Sequence, residues 1–256
     1  DETVKSFESE EEFLKDAYNN RNFDLFEGDY GNLSRPMTTR RGVRIDDISY
    51  GNILKKISID FEENEVTTVV GVNGVGKTTL AELISRSIKP DRGQIDIDGQ
   101  ALYLMQDADF QLFGASCLKE LEITQKDETI NLGALEGLGI GRLKDEHPQS
   151  LSGGEKQRLQ MAIARVSSNK VIILDEPTSG LDKDSMERVC SMIGDLKKDR
   201  TIIVISHDYE FLISSCNRII HITEGRIKAD FMLTDTSALQ LWNILTEKGN
   251  GYEQGT

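Results

Sequence analysis

The sequence is poor in cysteine pairs, long apolar runs and basic charge, and each shortage removes a class of protein. Three cysteines, Cys117, Cys190 and Cys216, stand far apart with no CxxC pair, so neither a disulfide framework nor a zinc site is readable. They are expected to be reduced, buried thiols. No run reaches the roughly 18 uncharged apolar residues that a bilayer span needs, which predicts a chain soluble by itself. No signal-peptide pattern opens it, and it begins at Asp1 without a Met; the expectation is a cytosolic setting and a piece cut from something longer. Thirty Lys+Arg against forty-four Asp+Glu give 30 − 44 = −14, a mean field that repels phosphate backbones and anionic headgroups and argues against a general nucleic-acid binder. What remains is 256 residues, 38% hydrophobic and 29% charged, enough for one large domain or two small ones around a substantial core.

Charge is not spread evenly. Residues 1–30 hold ten acids and three bases, 3 − 10 = −7, half of the total. This zone reads as a solvated arm or linker, with a short helix signalled by the Ser9/Glu12 capping-box spacing as the alternative. Arg35-Pro36-Met37 and Arg40-Arg41 mark its join to a main domain at 43–247, and 248–256 read as a flexible tail. From Val43 onward β-branched runs alternate with helical stretches, an α/β pattern. Ile57, Ile59 and Phe61 alternate with polar neighbours. Val66–Val70, Val171–Leu174 and Thr201–Ile205 are continuous apolar or β-branched runs, the signature of central strands covered on both faces. The sheet is therefore expected to be mixed with a parallel middle. Helices are read at Lys77–Ser87, Glu155–Val166, Lys183–Leu196 and Ala238–Glu247, and turns at Asp98-Gly99 and Glu224-Gly225.

The strongest chemical signal is Gly71-Val72-Asn73-Gly74-Val75-Gly76-Lys77-Thr78-Thr79, between an apolar strand and an amphipathic helix. Its glycines let backbone N–H groups converge on a phosphate, and the helix that starts there adds its positive dipole end. Lys77 supplies a point charge to the β- and γ-phosphates, and the Thr78 hydroxyl can ligate Mg²⁺. The strand Val171–Leu174 runs into Asp175-Glu176, at the strand end where parallel sheets place ligands. There Asp175 can hold Mg²⁺ through water, and Glu176 can accept a proton from an attacking water. Ser152 and Glu155 have capping-box spacing. Gly153 and Gly154 weaken the same helix by about 1 kcal/mol each, which suggests either a second phosphate approaching its tip or an ordinary flexible start.

The order of these motifs, with Gln106, Ser179-Gly180-Leu181-Asp182 and His207, resembles the nucleotide-binding domain of ABC ATPases over residues 43–235. The resemblance implies a P-loop fold with a helical subdomain at about 107–168 and an antiparallel β-subdomain, and ATP with Mg²⁺ as ligands. It implies nucleotide contacts from Tyr50, Asn73, Gly74, Gly76, Lys77, Thr78, Thr79, Ser152, Gly153, Gly154 and Asp182. Metal contacts fall to Thr78, Gln106 and Asp175, and hydrolysis to Glu176, His207, Lys77 and Gln106. Tyr50 would stack on adenine or, alternatively, pack in the core. Two such domains pair head to tail, as a homodimer or a heterodimer with another ABC ATPase, so that Ser152–Gly154 of one closes the phosphate loop of the other.

Met105–Phe113 and His147-Pro148-Gln149-Ser150 further resemble the ATPases of energy-coupling factor (ECF) importers. That likeness implies a transmembrane scaffold, a substrate-capture component, and a place at the cytoplasmic face of the membrane. The acidic stretch before Val43 would suit the second half of a tandem protein. One departure stands out: only Asp107 to Ser150 separate Gln106 from the Leu151–Arg158 segment. Phe110, Leu112 and Phe113 would line the groove for a membrane partner or pack inside the subdomain. A soluble DNA-repair or translation ATPase would instead show a basic face or long insertions, and a non-hydrolysing module would lack Glu176 or His207.

Overall fold

The computed structural model describes residues 41–246; the acidic zone, the Arg35–Met37 junction and the tail lie outside the described residues. The chain runs β1 (Arg41–Tyr50), β2 (Leu54–Glu62), β3 (Val66–Val70), α1 (Lys77–Ile84), β4 (Arg92–Ile97) and β5 (Ala101–Leu104). Three helices follow, α2 (Cys117–Thr124), α3 (Glu128–Gly137) and α4 (Gly153–Val166). The remainder alternates as β6 (Val171–Asp175), α5 (Lys183–Leu196), β7 (Thr201–Ile205), α6 (Tyr209–Ser215), β8 (Arg218–Thr223), β9 (Arg226–Met232) and α7 (Asp235–Thr246).

Two sheets result. The smaller is antiparallel in the order β2-β1-β4, and the larger runs β5-β6-β7-β3-β8-β9. In the larger sheet β5, β6, β7, β3 and β8 are parallel and β9 pairs antiparallel with β8. The expected mixed sheet with a parallel core, an antiparallel lobe and a group of helices is what forms.

Why the central strands carry no polar alternation is plain from what lies on each side. Val66, Ile172, Leu174, Ile202 and Val204 belong to one core with α4, α5 and α6, together with residues of α2 and α3. Their neighbours Val69, Val171, Ile173, Ile203 and Ile205 belong to a second core with α1 and the antiparallel sheet. Successive residues face opposite ways in a strand, so a strand covered twice shows no polar–apolar alternation; the two polar side chains of β3, Thr67 and Thr68, are buried with their hydroxyls hydrogen-bonded to Glu65 and Cys216. Truncating one of these fully buried side chains, such as Ile173, to Ala should cost about 2–5 kcal/mol.

Helix ends depart from expectation where side chains compete for backbone. α1 stops at Ile84, three residues early: Arg86 takes φ +64°, and the Ser85 hydroxyl donates to the Glu82 carbonyl at 3.1 Å, diverting the last turn. α4 begins at Gly153 because Ser152 caps it in a full capping box with Glu155. α7 begins at Asp235, since Thr234 and Ser237 bond reciprocally, Thr234 N–H to Ser237 Oγ at 2.7 Å and Ser237 N–H to Thr234 Oγ1 at 3.3 Å. Its expected last residue, Glu247, lies outside the described residues. α5 spans Lys183–Leu196 as read, started by Asp182, whose carboxylate accepts from Ser185 N–H at 2.8 Å. Helices α2, α3 and α6, of 8, 10 and 7 residues, were not among those expected, although Ser116, Asp127 and Asp208 cap them.

Candidate active site

Three neighbouring parallel strands, β6, β7 and β3, end at one edge, and their following loops carry the candidate chemistry. After β3 the chain enters the glycine-rich turn. Gly71, Gly74 and Gly76 have φ of +152°, +80° and +108°, conformations open to glycine and costly for other residues. At Gly76 a Cβ would also approach Leu54 Cδ2 to 2.7 Å and Ile53 Cγ2 to 2.9 Å. The loop is therefore bent as an anion cradle requires, with Asn73 and Gly74 exposed at its rim. Lys77 folds back over the cradle, its Nζ donating to the Gly71 carbonyl at 2.8 Å and the Val72 carbonyl at 3.1 Å. Thr78 and Thr79 occupy the first turn of α1 behind it.

After β6 come the two carboxylates, in different surroundings. Asp175 Oδ2 accepts from Thr78 Oγ1 at 3.2 Å and from the Tyr103 hydroxyl at 2.9 Å. Burial pushes the Asp175 pKa up, and the hydrogen bonds from Tyr103 and Thr78 oppose the rise. Burial, and then the neighbouring Asp175 charge, hold the Tyr103 phenol protonated well above its ordinary range. Thr78 and Asp175 thus converge two hard oxygens, the donor chemistry Mg²⁺ selects, and the fit is good. Among the described residues no cluster of three or more His, Cys, Asp or Glu could hold a metal ion; an Mg²⁺ site needs only one or two protein oxygens alongside phosphate and water.

Glu176 sits one step further out with φ +50°, pinned by its N–H to the Ile205 carbonyl at 2.8 Å. Its Oε1 lies 2.6 Å from His207 Nδ1, and its Oε2 accepts from Ser206 Oγ at 3.1 Å. The carboxylate is almost fully buried, while the histidine ring is 72% exposed. One side of the pair faces solvent and the other is fixed.

The other expected site residues are carried by other segments. Ser152 and Gly153 are exposed at the tip of α4, and the Ser152 backbone and side chain draw the Glu155 pKa down. Together with Gly154, Gln106, Arg158 and Asp182 they line a cleft of about 890 Å³. Asp182 is held below the usual carboxylate range by Ser185 N–H. Gln106 is exposed there, and its carbonyl accepts from Gln157 Nε2 at 3.2 Å. Tyr50, at the end of β1, is half-buried against the second core. Two participants went unread in the sequence, Tyr103 and Ser206. Ser206 adjoins His207, and Tyr103 sits three residues before Gln106, but only the register of β5 on β6 brings the phenol to Asp175.

A glycine-rich phosphate loop opening a helix, beside an acidic strand end in a parallel sheet, defines a P-loop nucleotide-binding class. The family profile described as ABC transporter matches residues 54–179. An energy-coupling factor transporter ATP-binding protein of Clostridium perfringens is 30% identical over 72% of this chain and 75% of its own length. A Pyrococcus horikoshii protein bearing the name ABC transporter ATP-binding protein is 31% identical over 69% of the chain and 76% of its own. The chain belongs to the ABC transporter ATP-binding family. It spans about half the length of one Treponema denticola relative, 34% identical over 89% of the chain and 51% of that protein. Among solved structures, cbiO1 of Clostridium perfringens, part of the cbiONQ transporter complex, superposes with a TM-score of 0.67 at 28% identity, over 81% of this chain and 94% of that one.

Proposed function

We propose that this chain binds ATP with Mg²⁺ and hydrolyses it to drive a membrane importer of the ECF type. The observation that carries the reading is the Glu176–His207 pair, 2.6 Å apart, at the strand ends beside the glycine-rich cradle. In this reading the cradle N–H groups and Lys77 hold the β- and γ-phosphates, and Tyr50 stacks on the base. Thr78, Asp175 and Gln106 would hold the metal. Mg²⁺ when bound neutralises charge developing on the phosphates. Glu176 takes a proton from the attacking water, and the 2.6 Å contact with His207 keeps its carboxylate aimed.

The partner follows from separation within one chain. Ser152–Gly154 and Asp182 share a cleft that the cradle does not line, so a head-to-tail second ATPase, identical or not, supplies the cap over each phosphate. ECF coupling is supported by the Clostridium relatives and by exposed aromatic side chains on the helical region, whose shortness is the departure from that likeness. There Phe110 and Phe113 are 71% and 77% exposed, whereas Leu112 is buried in the core. The two phenylalanines meet the transmembrane scaffold, which is joined by a substrate-capture component; Leu112 takes the packing role. Among the described residues no helix is long and apolar enough to cross a membrane, in line with a peripheral subunit on the cytoplasmic face.

Glu176→Gln keeps the shape and removes the base. It should retain ATP binding, lose about 10²–10⁴ in turnover and accumulate as an ATP-bound dimer on size exclusion. Unchanged steady-state hydrolysis would remove Glu176 from this role, and absence of nucleotide binding by the unaltered protein would remove the whole reading.

A further inference from the structure

Tyr103 stands where no chemical motif placed it. It pairs with Ile173 across the parallel β5/β6 ladder, and Asp175 lies two residues beyond on the same face, about 6.6 Å along the strand. A phenol spans that offset; a serine or threonine hydroxyl does not. The hydroxyl donates at 2.9 Å to the same oxygen, Asp175 Oδ2, that accepts from Thr78. Tyr103 is 7% exposed, so the bond forms away from competing water and defines the rotation of the carboxylate.

The strand behind the phenol is fixed as well. The Gln111 side chain bridges β5 by donating from Nε2 to the Tyr103 carbonyl at 2.8 Å and accepting at Oε1 from Met105 N–H at 2.7 Å. Gln160, on α4, donates to the Met105 carbonyl at 3.1 Å and to Gln111 Oε1 at 3.2 Å. The segment leading into Gln106 is thereby stitched to the helix whose tip is Ser152.

We propose that Tyr103 is a positioning residue for Asp175, setting the orientation in which that carboxylate meets Mg²⁺. The proposal rests on the reading of Asp175 as a metal-holding group. Partners that orient a ligating carboxylate commonly change metal affinity by 10–100-fold when removed, and here one of two hydrogen bonds to Asp175 Oδ2 is lost while that from Thr78 stays, so the lower end applies. Tyr103 is not among the residues assigned to the nucleotide.

The test is calorimetric titration with the non-hydrolysable analogue adenylyl imidodiphosphate, in EDTA and in MgCl₂, for the unaltered chain, Tyr103→Phe and Tyr103→Met. Both variants should bind in EDTA within about twofold of the unaltered chain and lose about tenfold of the gain that Mg²⁺ confers. Equal Mg²⁺ gains in all three proteins would overturn the assignment of Tyr103 and leave the nucleotide site intact. Parallel weakening in EDTA, or failure of both variants to fold, would also overturn it by making Tyr103 a packing residue only. No binding by the unaltered chain in either buffer would instead sink the proposed function.

Discussion

His207 Nδ1 lies 2.6 Å from Glu176 Oε1 across the ends of two adjacent parallel strands, with the ring in solvent and the carboxylate buried. This asymmetry separates chemistry from stability. His207→Ala removes a largely exposed side chain, so its unfolding free energy should stay within about 0.5 kcal/mol of the unaltered value. ATP turnover should fall about a hundredfold, because the carboxylate loses its aim. Denaturant melts and steady-state ATPase measurements on one preparation check both halves.

Glu176 holds a left-handed backbone, φ +50°, where a Cβ costs about 1–2 kcal/mol. Replacing it by Gly rather than Ala should invert the usual ranking. Gly ordinarily loses about 0.4–1 kcal/mol through the unfolded chain, less than the strain it relieves here. Glu176→Gly should therefore be the more stable of the two by about 0.5–1 kcal/mol, as read from paired urea midpoints. A more stable Ala variant would show the strain to be absent.

The three buried thiols make the fold sensitive to alkali. Burial pushes Cys117 and Cys216 up to about 11 and Cys190 up to about 12. A raised folded pKa means stability present in full below the unfolded value near 8.5 and lost as pH climbs toward 11–12. Above about pH 9 the slope should be negative, up to about 1.4 kcal/mol per pH unit for each thiol. Lys197, lowered by burial to about 8, acts in the opposite sense between its folded and unfolded values, because there the unfolded chain holds the extra proton. Urea unfolding between about pH 8.5 and 10.5 should show the net decline, and Cys190→Ala should flatten it by up to one thiol's share.

Much of this molecule was legible without coordinates, and the reasons are local. The glycine-rich loop, Asp175-Glu176 and Asp182 are contiguous signals whose chemistry is written in neighbouring residues. The continuous apolar runs announced strands covered on both faces, and the helix at Lys183–Leu196 was read at the bounds it takes. What escaped depends on register and short range. Tyr103 reaches Asp175 through strand pairing between residues 72 positions apart, and no local pattern encodes that offset. Helices α2, α3 and α6 are short and follow no chemical motif, whereas α1, no longer than α2, is announced by the glycine-rich loop before it. Gln106 was assigned to the metal by resemblance alone; it lines the cleft at the tip of α4, and the residue before it is held by the Gln111 and Gln160 bonds. Leu112 and Phe113 are adjacent and apolar alike, but one is core and the other surface; composition cannot tell them apart.

The adjacency of β6, β7 and β3 has an evolutionary edge. Connections away from the strand ends can lengthen or shrink without disturbing which groups meet, because ladder pairing brings those ends together. A single-residue deletion inside Val171–Leu174 is a different kind of lesion. It could still be accommodated as a strand, since every side chain there is apolar, but Asp175 and Glu176 would trade sides, leaving a folded shell that has forgotten its reaction.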